Sequence, residues 1–387
     1  MPIQKTSPPR GLVHLTMMVD RNVTVIGAGI AGLAVAVAMA RRGASVRVLE
    51  RSPEITRVGA GLQISPNGFA VIRALGLDGA LRSAGLESRA IELRDYRAGR
   101  RVLRIDLAEC WNGFPFILTH RAHLIALLEK EARGAGVDIA LGVSIDPASV
   151  DGSLVIGADG IRSATRRYLN GPEAPLYTGQ VAWRAMVAGN AAPEAHVWMG
   201  PGRHLVTYAP DPRLRNIVAV EERERWVGEG WDRKDDSSNL RAAFADFAPE
   251  VRRWLARVDD VRLWGLFRHE VAARWHDGRF ALVGDAAHPT LPFLAQGANL
   301  ALEDAWVLAR CLDRLPQRDA LAEYQKLRHG RAARVVAAAT ANSRNFHLRD
   351  PVLRSVAHNL LRIGGAIAPN AALKRLEWLY GFDATSD

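Results

Sequence analysis

The spacing of hydrophobic positions changes several times along the chain, and each change marks a different kind of element. Asn22 to Ile26 (NVTVI) is a short β-branched run. It is followed at once by Gly27-Ala28-Gly29-Ile30-Ala31-Gly32 and an alanine-rich stretch of helical spacing that reaches Arg42. Gly43 stands where a helix C-cap would, and Ser45 to Leu49 (SVRVL) reads as a second strand that stops at Glu50 and Arg51. Strand, tight turn, helix and strand make a complete βαβ unit.

From about Tyr177 to Arg268 the texture shifts to tryptophans, β-branched residues and turn signals (WRAMV, HVWMG, HLVTY, NIVAV). This predicts an antiparallel sheet of short strands and a second domain. Arg279 to Val283 (RFALV) returns to a buried-strand pattern, runs into GDAAHP, and leads to a long helix from about Gly297 to Leu312, so the chain is expected to come back to its first domain. Heptad-like apolar spacing through Tyr324 to Ala341 and Val352 to Leu361 predicts helices that cover the sheet or form a protomer contact. No repeat at solenoid periods is found.

The fold class expected is therefore α/β: a Rossmann-like dinucleotide-binding domain, an inserted and mostly antiparallel β-sheet domain, and a helical C-terminal region. The partition reads as a flexible extension over 1–18, the first part of the nucleotide domain over 19–176, the sheet domain over 177–270, a return segment over 271–345, and C-terminal helices over 346–387. The first sixteen or so residues lack the continuous apolar core of a secretory signal, and Met17 and Met18 offer an alternative start.

Composition narrows this picture. With 387 residues, 48% of them hydrophobic, the chain can build its core without metals or disulfides. The formal charge of +10 raises the question of nucleic acid, but the arginines are scattered and form no one-sided stripe, so no nucleic-acid partner is expected. A basic chain still attracts anions, among them dinucleotides and carboxylated aromatics. Cys110 and Cys311 are far apart and outside any metal-ligand spacing, which fits a reducing cytoplasm. The apolar runs are too short to cross a bilayer, and no membrane partner is expected.

Candidate chemistry starts at the glycine loop. Gly27 permits the tight turn, Gly29 lets the backbone approach a pyrophosphate, Gly32 lets helix and strand pack closely, and the helix N-terminus offers N–H groups to phosphate. Glu50 follows at the end of the second strand, where a carboxylate can accept both hydroxyls of a ribose. The loop alone does not distinguish FAD from NAD. Two later segments do: VIGADGIRS over Val155 to Ser163, and GDAAHP over Gly284 to Pro289, which leads into PFLAQGAN over Pro292 to Asn299.

Together with the glycine loop, these segments resemble the three fingerprints of the aromatic-ring flavoprotein monooxygenases, the family with the p-hydroxybenzoate hydroxylase fold. GAGLQISPNG at Gly59 to Gly68, RAHLIALLEKEA at Arg121 to Ala132, WMGPGRHLVTY at Trp198 to Tyr208 and WLYGFD at Trp378 to Asp383 extend the likeness from about Val19 onward. They are most similar to the branch with salicylate and 6-hydroxynicotinate hydroxylases.

The resemblance implies FAD as cofactor, a nicotinamide cofactor (NADH or NADPH) that binds transiently, and hydroxylation of a small aromatic substrate with O2 through a flavin hydroperoxide. It places Glu50 on the adenosine ribose, Arg121 near the pyrophosphate and ribityl chain, Asp159 near the pyrophosphate, and Asp285 on the ribityl hydroxyls. Ala28, Ala31, Arg51, Gly61 and, on the adenine side, Val143 join the cofactor set. Gln296, Gly297, Ala298 and Asn299 would begin a helix under the flavin, whose N–H groups can hold the charge of the reduced ring. Asp159 and Asp285 have a second reading, as Asx-turns that each close a strand.

Two departures stand out. Ala295 occupies a position where the family often has glycine, and the connection between Val143 and Leu154 is shorter than usual, which weakens the assignment of Val143. No second GxGxxG precedes a strand–helix pair, hence the transient nicotinamide.

On the substrate side, a phenolate reacts far faster than a phenol, so a base or relay is required. His204, Val206 and Tyr208 share one strand face by the period-two rule. The spacing resembles the substrate-contacting pair of the 6-hydroxynicotinate enzymes, which makes His204 the candidate base or relay and Tyr208 an orienting hydroxyl. The alternative is that both pad the sheet. Arg184, Arg203 and Arg268 are candidates to bind a substrate carboxylate; His269 is a lesser one. His288 reads as structural, and Pro289 and Pro292 as stiffeners of the loop over the flavin, with Pro292 also facing substrate. A monomer or homodimer is expected. The competing functions are a nicotinamide dehydrogenase and a flavin-binding oxidoreductase or regulatory relative without aromatic hydroxylase activity.

Overall fold

The computed structural model describes residues 18, 21–55, 61–107, 111, 113–189, 191–226 and 232–386. Residues 1–17, Cys110, Val19 and the first two residues of the Gly59–Gly68 segment lie outside them. Met18 is fully buried in the main core, so the extension expected over 1–18 does not include it as a loose residue.

β1 (Asn22–Ile26), α1 (Ile30–Ala40) and β2 (Ser45–Glu50) form the expected βαβ unit, with β1 and β2 parallel and Val23 opposite Val46. Nearly every residue of α1 is buried, as its apolar composition on all sides requires. The chain continues through β3 (Gly61–Ile64), α2 (Pro66–Ala74), α3 (Asp78–Ser83), β4 (Gly85–Glu87), β5 (Ala90–Asp95) and β6 (Arg101–Asp106). Then follow β7 (Ile117–His120), α4 (Arg121–Gly134), β8 (Asp138–Leu141), β9 (Leu154–Gly157) and α5 (Ala164–Asn170).

The middle of the chain carries β10 (Leu176–Ala188), β11 (Glu194–Gly200), β12 (Arg203–Asp211), β13 (Leu214–Glu222) and β14 (Asp232–Asp235). α6 (Ser237–Ala243), α7 (Pro249–Leu255) and β15 (Val261–Arg268) complete it. β10 is 13 residues long, well beyond the short strands expected. The return segment supplies β16 (Phe280–Leu282) and α8 (Gly297–Arg314). α9 (Gln317–Phe346), α10 (Pro351–Ile367) and α11 (Ala371–Tyr380) close the chain.

Three sheets result. The five-stranded parallel sheet has the order β16-β9-β1-β2-β8, the return strand β16 pairing with β9. The large sheet has the order β14-β15-β10-β13-β12-β11-β5-β6. β5 and β6, from inside the 19–176 stretch, therefore extend a sheet expected to lie within 177–270, with β5 parallel to β11. A small sheet, β3-β7-β4, packs against β12 of the large sheet.

Alternation along β10, β12 and β13 gives the large sheet two unlike faces. Val181, Trp183, Leu205, Ile217 and Ala219 pack under Leu240 of α6, Phe244 just after it, and Val251 and Leu255 of α7. The other face carries Ala182, Arg184, His204, Val206, Tyr208, Asn216, Val218 and Val220, and meets the loop with Leu291 and Phe293. α10 lies against β6 and leaves Val352, Val356, Leu360, Ile363 and Ile367 exposed. Among the described residues no helix is long and apolar enough to cross a membrane.

Candidate active site

The glycine loop forms a cradle with room in one place only. A Cβ on Gly27, which has φ +104°, would lie 2.5 Å from the Ala158 carbonyl oxygen, and one on Gly32 would lie 1.9 Å from the Gly27 oxygen. Neither position admits a side chain. A Cβ on Gly29 would meet nothing within 4 Å, and Gly29 caps α1 without any side-chain bond. Open space thus lies in front of first-turn N–H groups, among them that of Ala31, that have no intrahelical acceptor.

Glu50 closes this cradle from the end of β2. Its Oε2 accepts the Ala28 N–H at 2.7 Å and its Oε1 the Ser52 N–H at 2.9 Å, while the Val143 N–H bonds the Glu50 carbonyl. That bond sets Val143 beside the end of β2. Arg51 beside Glu50 is exposed.

Asp159 sits next to Gly27, but its side chain is turned to its own loop. Oδ1 accepts the Ser163 hydroxyl at 2.5 Å, and Oδ2 accepts the Thr165 N–H and hydroxyl, each at 3.1 Å. The turn-closing reading of Asp159 accounts for both oxygens. Asp285 differs. Its carboxylate is exposed, lies within 4.0 Å of where a Cβ on Gly297 would be, and interacts electrostatically with Arg121.

A buried ionic cluster fixes the segment around Asp285. Arg328 reaches Glu303 at 2.6 Å and Asp304 at 2.8 Å, and Arg331 reaches Glu303 at 2.7 Å. Asn67 donates to Glu303 at 2.6 Å, and His288 Nε2 lies 2.5 Å from Asp304. Burial alone would raise the Asp304 carboxyl, yet the charges of His288 and Arg328 bring it down to about 2. His288 is thus structural, and Pro289 beside it is buried.

Gln296 and Asn299 spend their side chains on the α2 segment. Gln296 bonds Asn67 at 2.9 Å and Ser65 at 3.0 Å; Asn299 accepts the Ser65 N–H at 3.1 Å and donates to the Gln63 carbonyl at 3.1 Å. What they present toward the cleft is backbone: Gly297, Ala298 and Asn299 supply the first-turn N–H groups of α8. Ala295 has φ 53° and ψ 34°, so alanine adopts the left-handed conformation that glycine would take more easily.

Among the described residues, the inner face of the large sheet holds four buried polar atoms without hydrogen-bond partners: Gln180 Oε1 at its edge beside α9, and Arg184 Nε, His204 Nε2 and Asn216 Nδ2 further in. Tyr208 on β12 lies opposite Asn216 on β13, hydrogen-bonds Gln63, and packs against Gly61, where a Cβ would come within 2.6 Å of its ring. Burial pushes the Tyr208 phenol far above its usual range, so it donates and does not act as a base. The charges acting on Arg184 come from Tyr208 and Arg121, not from a carboxylate. His204 is fully buried between Phe293 and Phe346, and burial, with His347 nearby, holds its pKa well below the usual histidine value.

Other candidates fall outside this face. Arg203 alternates to the opposite side, where it bonds the Ala243 carbonyl and Asp246. Arg268 is exposed at the end of β15, about 20 Å along the strand from Arg262, the partner of Arg184, at roughly 3.3 Å per residue. His269 is buried beside Glu173 and Arg166. Pro292 stands next to Phe293 in the loop that meets the face.

Comparison with known proteins agrees with this geometry. The model for the FAD binding domain matches residues 20–146 and 142–339. The chain is 38% identical to the 3-amino-4-hydroxybenzoate 2-monooxygenase of Streptomyces cremeus over 86% of this chain and 90% of that one. It is 31% identical to the 6-hydroxynicotinate 3-monooxygenase of Bordetella bronchiseptica, over 85% and 92%. Its fold is similar to that of Klebsiella pneumoniae HpxO in complex with FAD and uric acid, with a TM-score of 0.80 and 26% identity over 92% of this chain and 97% of the other.

The chain belongs to the FAD-binding domain family. It is an FAD-dependent monooxygenase, and the resemblance to aromatic-ring hydroxylases read from its three fingerprints holds. The dehydrogenase alternative falls with this result.

For an FAD-binding monooxygenase, sequence reasoning left out several residues that the fold brings to the site. Asn216 shares its face with Val218 and Val220 in the run NIVAV, so the period-two rule applied to β13 would have found it. Gln63 lies within the GAGLQISPNG stretch. His347 stands 143 residues from His204 and Glu222 lies on another strand, and no local signal links either to His204.

Proposed function

We propose that this monooxygenase hydroxylates a small aromatic acid that carries a ring hydroxyl, with NADH or NADPH as transient reductant. The observation that carries the reading is the set of unpartnered polar atoms on one apolar sheet face: a cation at Arg184, a lone pair or N–H at His204, and an amide at Asn216. Buried polar groups without partners are rare and call for a ligand. Arg184 suits a carboxylate, and His204 suits a hydroxyl.

FAD, once reduced and met by O2, supplies the electrophilic oxygen. The residues would hold it as follows: the α1 N-terminus and Gly29 receive the pyrophosphate, Glu50 the adenosine ribose with Arg51 and Val143 beside it, Arg121 and Asp285 the ribityl region. The N–H groups of Gly297, Ala298 and Asn299 face the ring, with Gln296 and Pro292 shaping its loop. Tyr208 orients the substrate, and His204 takes the hydroxyl proton. Leu291, Phe293, Val218 and Val220 form an apolar wall that keeps water away from the reaction.

In this reading residues 19–176 and 271–345 form the FAD domain, and 177–270 the substrate sheet, with β5 and β6 lent by the first part. Every residue invoked belongs to one chain, so a monomer or a homodimer can house the site. The separated cysteines support a cytoplasmic setting.

The test is a screen of aromatic acids for stimulation of NADH and NADPH oxidation by the FAD-loaded protein. A hydroxylase responds to hydroxylated acids and yields a product heavier by one oxygen. A yellow protein indifferent to every such acid would instead match a flavin-binding relative without this activity.

A further inference from the structure

His204 does not end in the core. Its Nδ1 lies 2.6 Å from Nε2 of His347, which follows the last turn of α9. His347 Nδ1 lies 3.0 Å from Glu222 Oε1 at the end of β13, and the other Glu222 oxygen accepts from Arg349 at 2.5 Å. Exposure rises steadily along this line: 0% for His204, 4% for His347, 30% for the Glu222 side chain and 72% for that of Arg349.

The hydrogen-bonding capacities along the line leave one arrangement of protons. A carboxylate only accepts, so His347 Nδ1 carries hydrogen and donates to Glu222. Neutral His347 then has a lone pair on Nε2, which must accept from His204 Nδ1–H. His204 Nε2 is left as a lone pair, buried and unpartnered, on the face that carries Arg184 and Asn216.

We propose that His347 and Glu222 form a proton exit that fixes His204 in this tautomer and connects it to solvent. The proposal rests on the reading that His204 faces a substrate hydroxyl. The substrate O–H bond breaks as H–Nε2 forms on His204; His204 Nδ1–H passes its proton to His347 Nε2; His347 Nδ1–H passes its proton to Glu222. The products are a bound phenolate and a neutral Glu222 carboxyl, which gives its proton to water at its exposed edge. No electrons change hands, and the reverse sequence restores the proton when product leaves.

The surroundings suit such a line. Phe293 and Phe346 flank His204 and do not titrate. Among the described residues the charge that acts on the His204 ring is that of His347, and those that act on His347 are Glu222 and Arg349. Burial holds both rings below the usual histidine value, which keeps them neutral. Burial would raise Glu222, but Arg349 and His347 outweigh it, so Glu222 holds the extra proton only briefly.

The experiment uses FAD-loaded protein without reductant. A nitro-substituted hydroxybenzoate, whose phenolate absorbs at longer wavelength than the phenol, is mixed in stopped flow with a pH-indicator dye. In the parent, the phenolate band and the released proton should rise together. Glu222→Gln keeps the shape of the side chain, and His347→Gln provides an independent variant. Each should slow both signals by about a hundredfold, the low side of what a positioned proton acceptor contributes, and shift ionisation of the bound phenol to higher pH. Unchanged rates and an unchanged ionisation pH in both variants would overturn the exit. If His204→Gln alone abolished ionisation, His204 would keep its role and the exit would fail. A parent that binds the phenol without ionising it would contradict the reading of His204 itself.

Discussion

The Gly61 N–H donates to Asn216 Oδ1 at 2.9 Å, and this bond, beside the one between Tyr208 and Gln63, ties the small sheet to the inner face of the large sheet. Asn216 therefore has one end in the scaffold and its Nδ2 toward the candidate substrate space. Asn216→Ala should lower stability by about 1 kcal/mol through the lost bond and raise KM for the aromatic acid more than it lowers kcat. Thermal melts and steady-state kinetics on the variant check both. A KM equal to the parent's would remove Asn216 from the site.

The glycine loop offers a sharper comparison between neighbours. Gly32→Ala forces a Cβ into the Gly27 carbonyl, so both stability and FAD retention should fall. Gly29→Ala has open space in the protein. It should melt near the parent's temperature while holding FAD at least about tenfold more weakly, since it intrudes only where pyrophosphate would lie. Flavin absorbance per protein after gel filtration reads the affinity, and equal FAD retention in Gly29→Ala would move the phosphate site elsewhere.

Ala295 is one of two non-glycine residues with positive φ among the described residues. The left-handed conformation costs an L-residue roughly 1 kcal/mol. Ala295→Gly should relieve most of this, offset in part by the greater freedom of glycine when unfolded, and leave the variant as stable as the parent or slightly more so. Ala295→Val, β-branched at the same φ, should be clearly less stable. Chemical denaturation curves distinguish the two.

Acid stability follows from Asp304. Its carboxyl titrates near 2 in the folded protein, below the 3.8 of an unperturbed aspartate. The stabilisation is complete above the unfolded value and is lost as pH falls from about 4 toward 2, worth roughly 2 kcal/mol by linkage. Arg328→Met would leave Glu303 with Arg331 and Asn67, and Asp304 with His288, as their remaining side-chain partners in the core, and cost about 3 kcal/mol at neutral pH. The variant should also show a shallower loss of stability in that acid window, with the part due to His288 retained. Denaturation midpoints measured between pH 2 and 7 check both statements.

What the sequence made legible was local. The spacing of Gly27, Gly29, Gly32 and Glu50 is read within one βαβ unit, and alternation alone put His204 and Tyr208 on one face. What it hid depends on pairing between distant segments. β5 joins β11 in parallel across about a hundred residues, and nothing in either strand announces the partner. Arg203 and Arg184 look alike as arginines, yet register sends the first to the α6 side and the second inward. Gln296 and Asn299 stand at the expected helix start, but their side chains answer to Ser65 and Asn67, which only the folded chain brings near.

The most direct test of the central claim is the origin of the oxygen in the product. The FAD-loaded protein is supplied with NADH or NADPH, a hydroxylated aromatic acid that stimulates their oxidation, and dioxygen made of the heavy isotope. The account predicts one heavy oxygen on the ring of the product for each nicotinamide oxidised, with Arg184→Met requiring far more substrate to reach the same rate. Nicotinamide oxidation that yields only labelled hydrogen peroxide, with every hydroxylated acid returned unchanged, would contradict it.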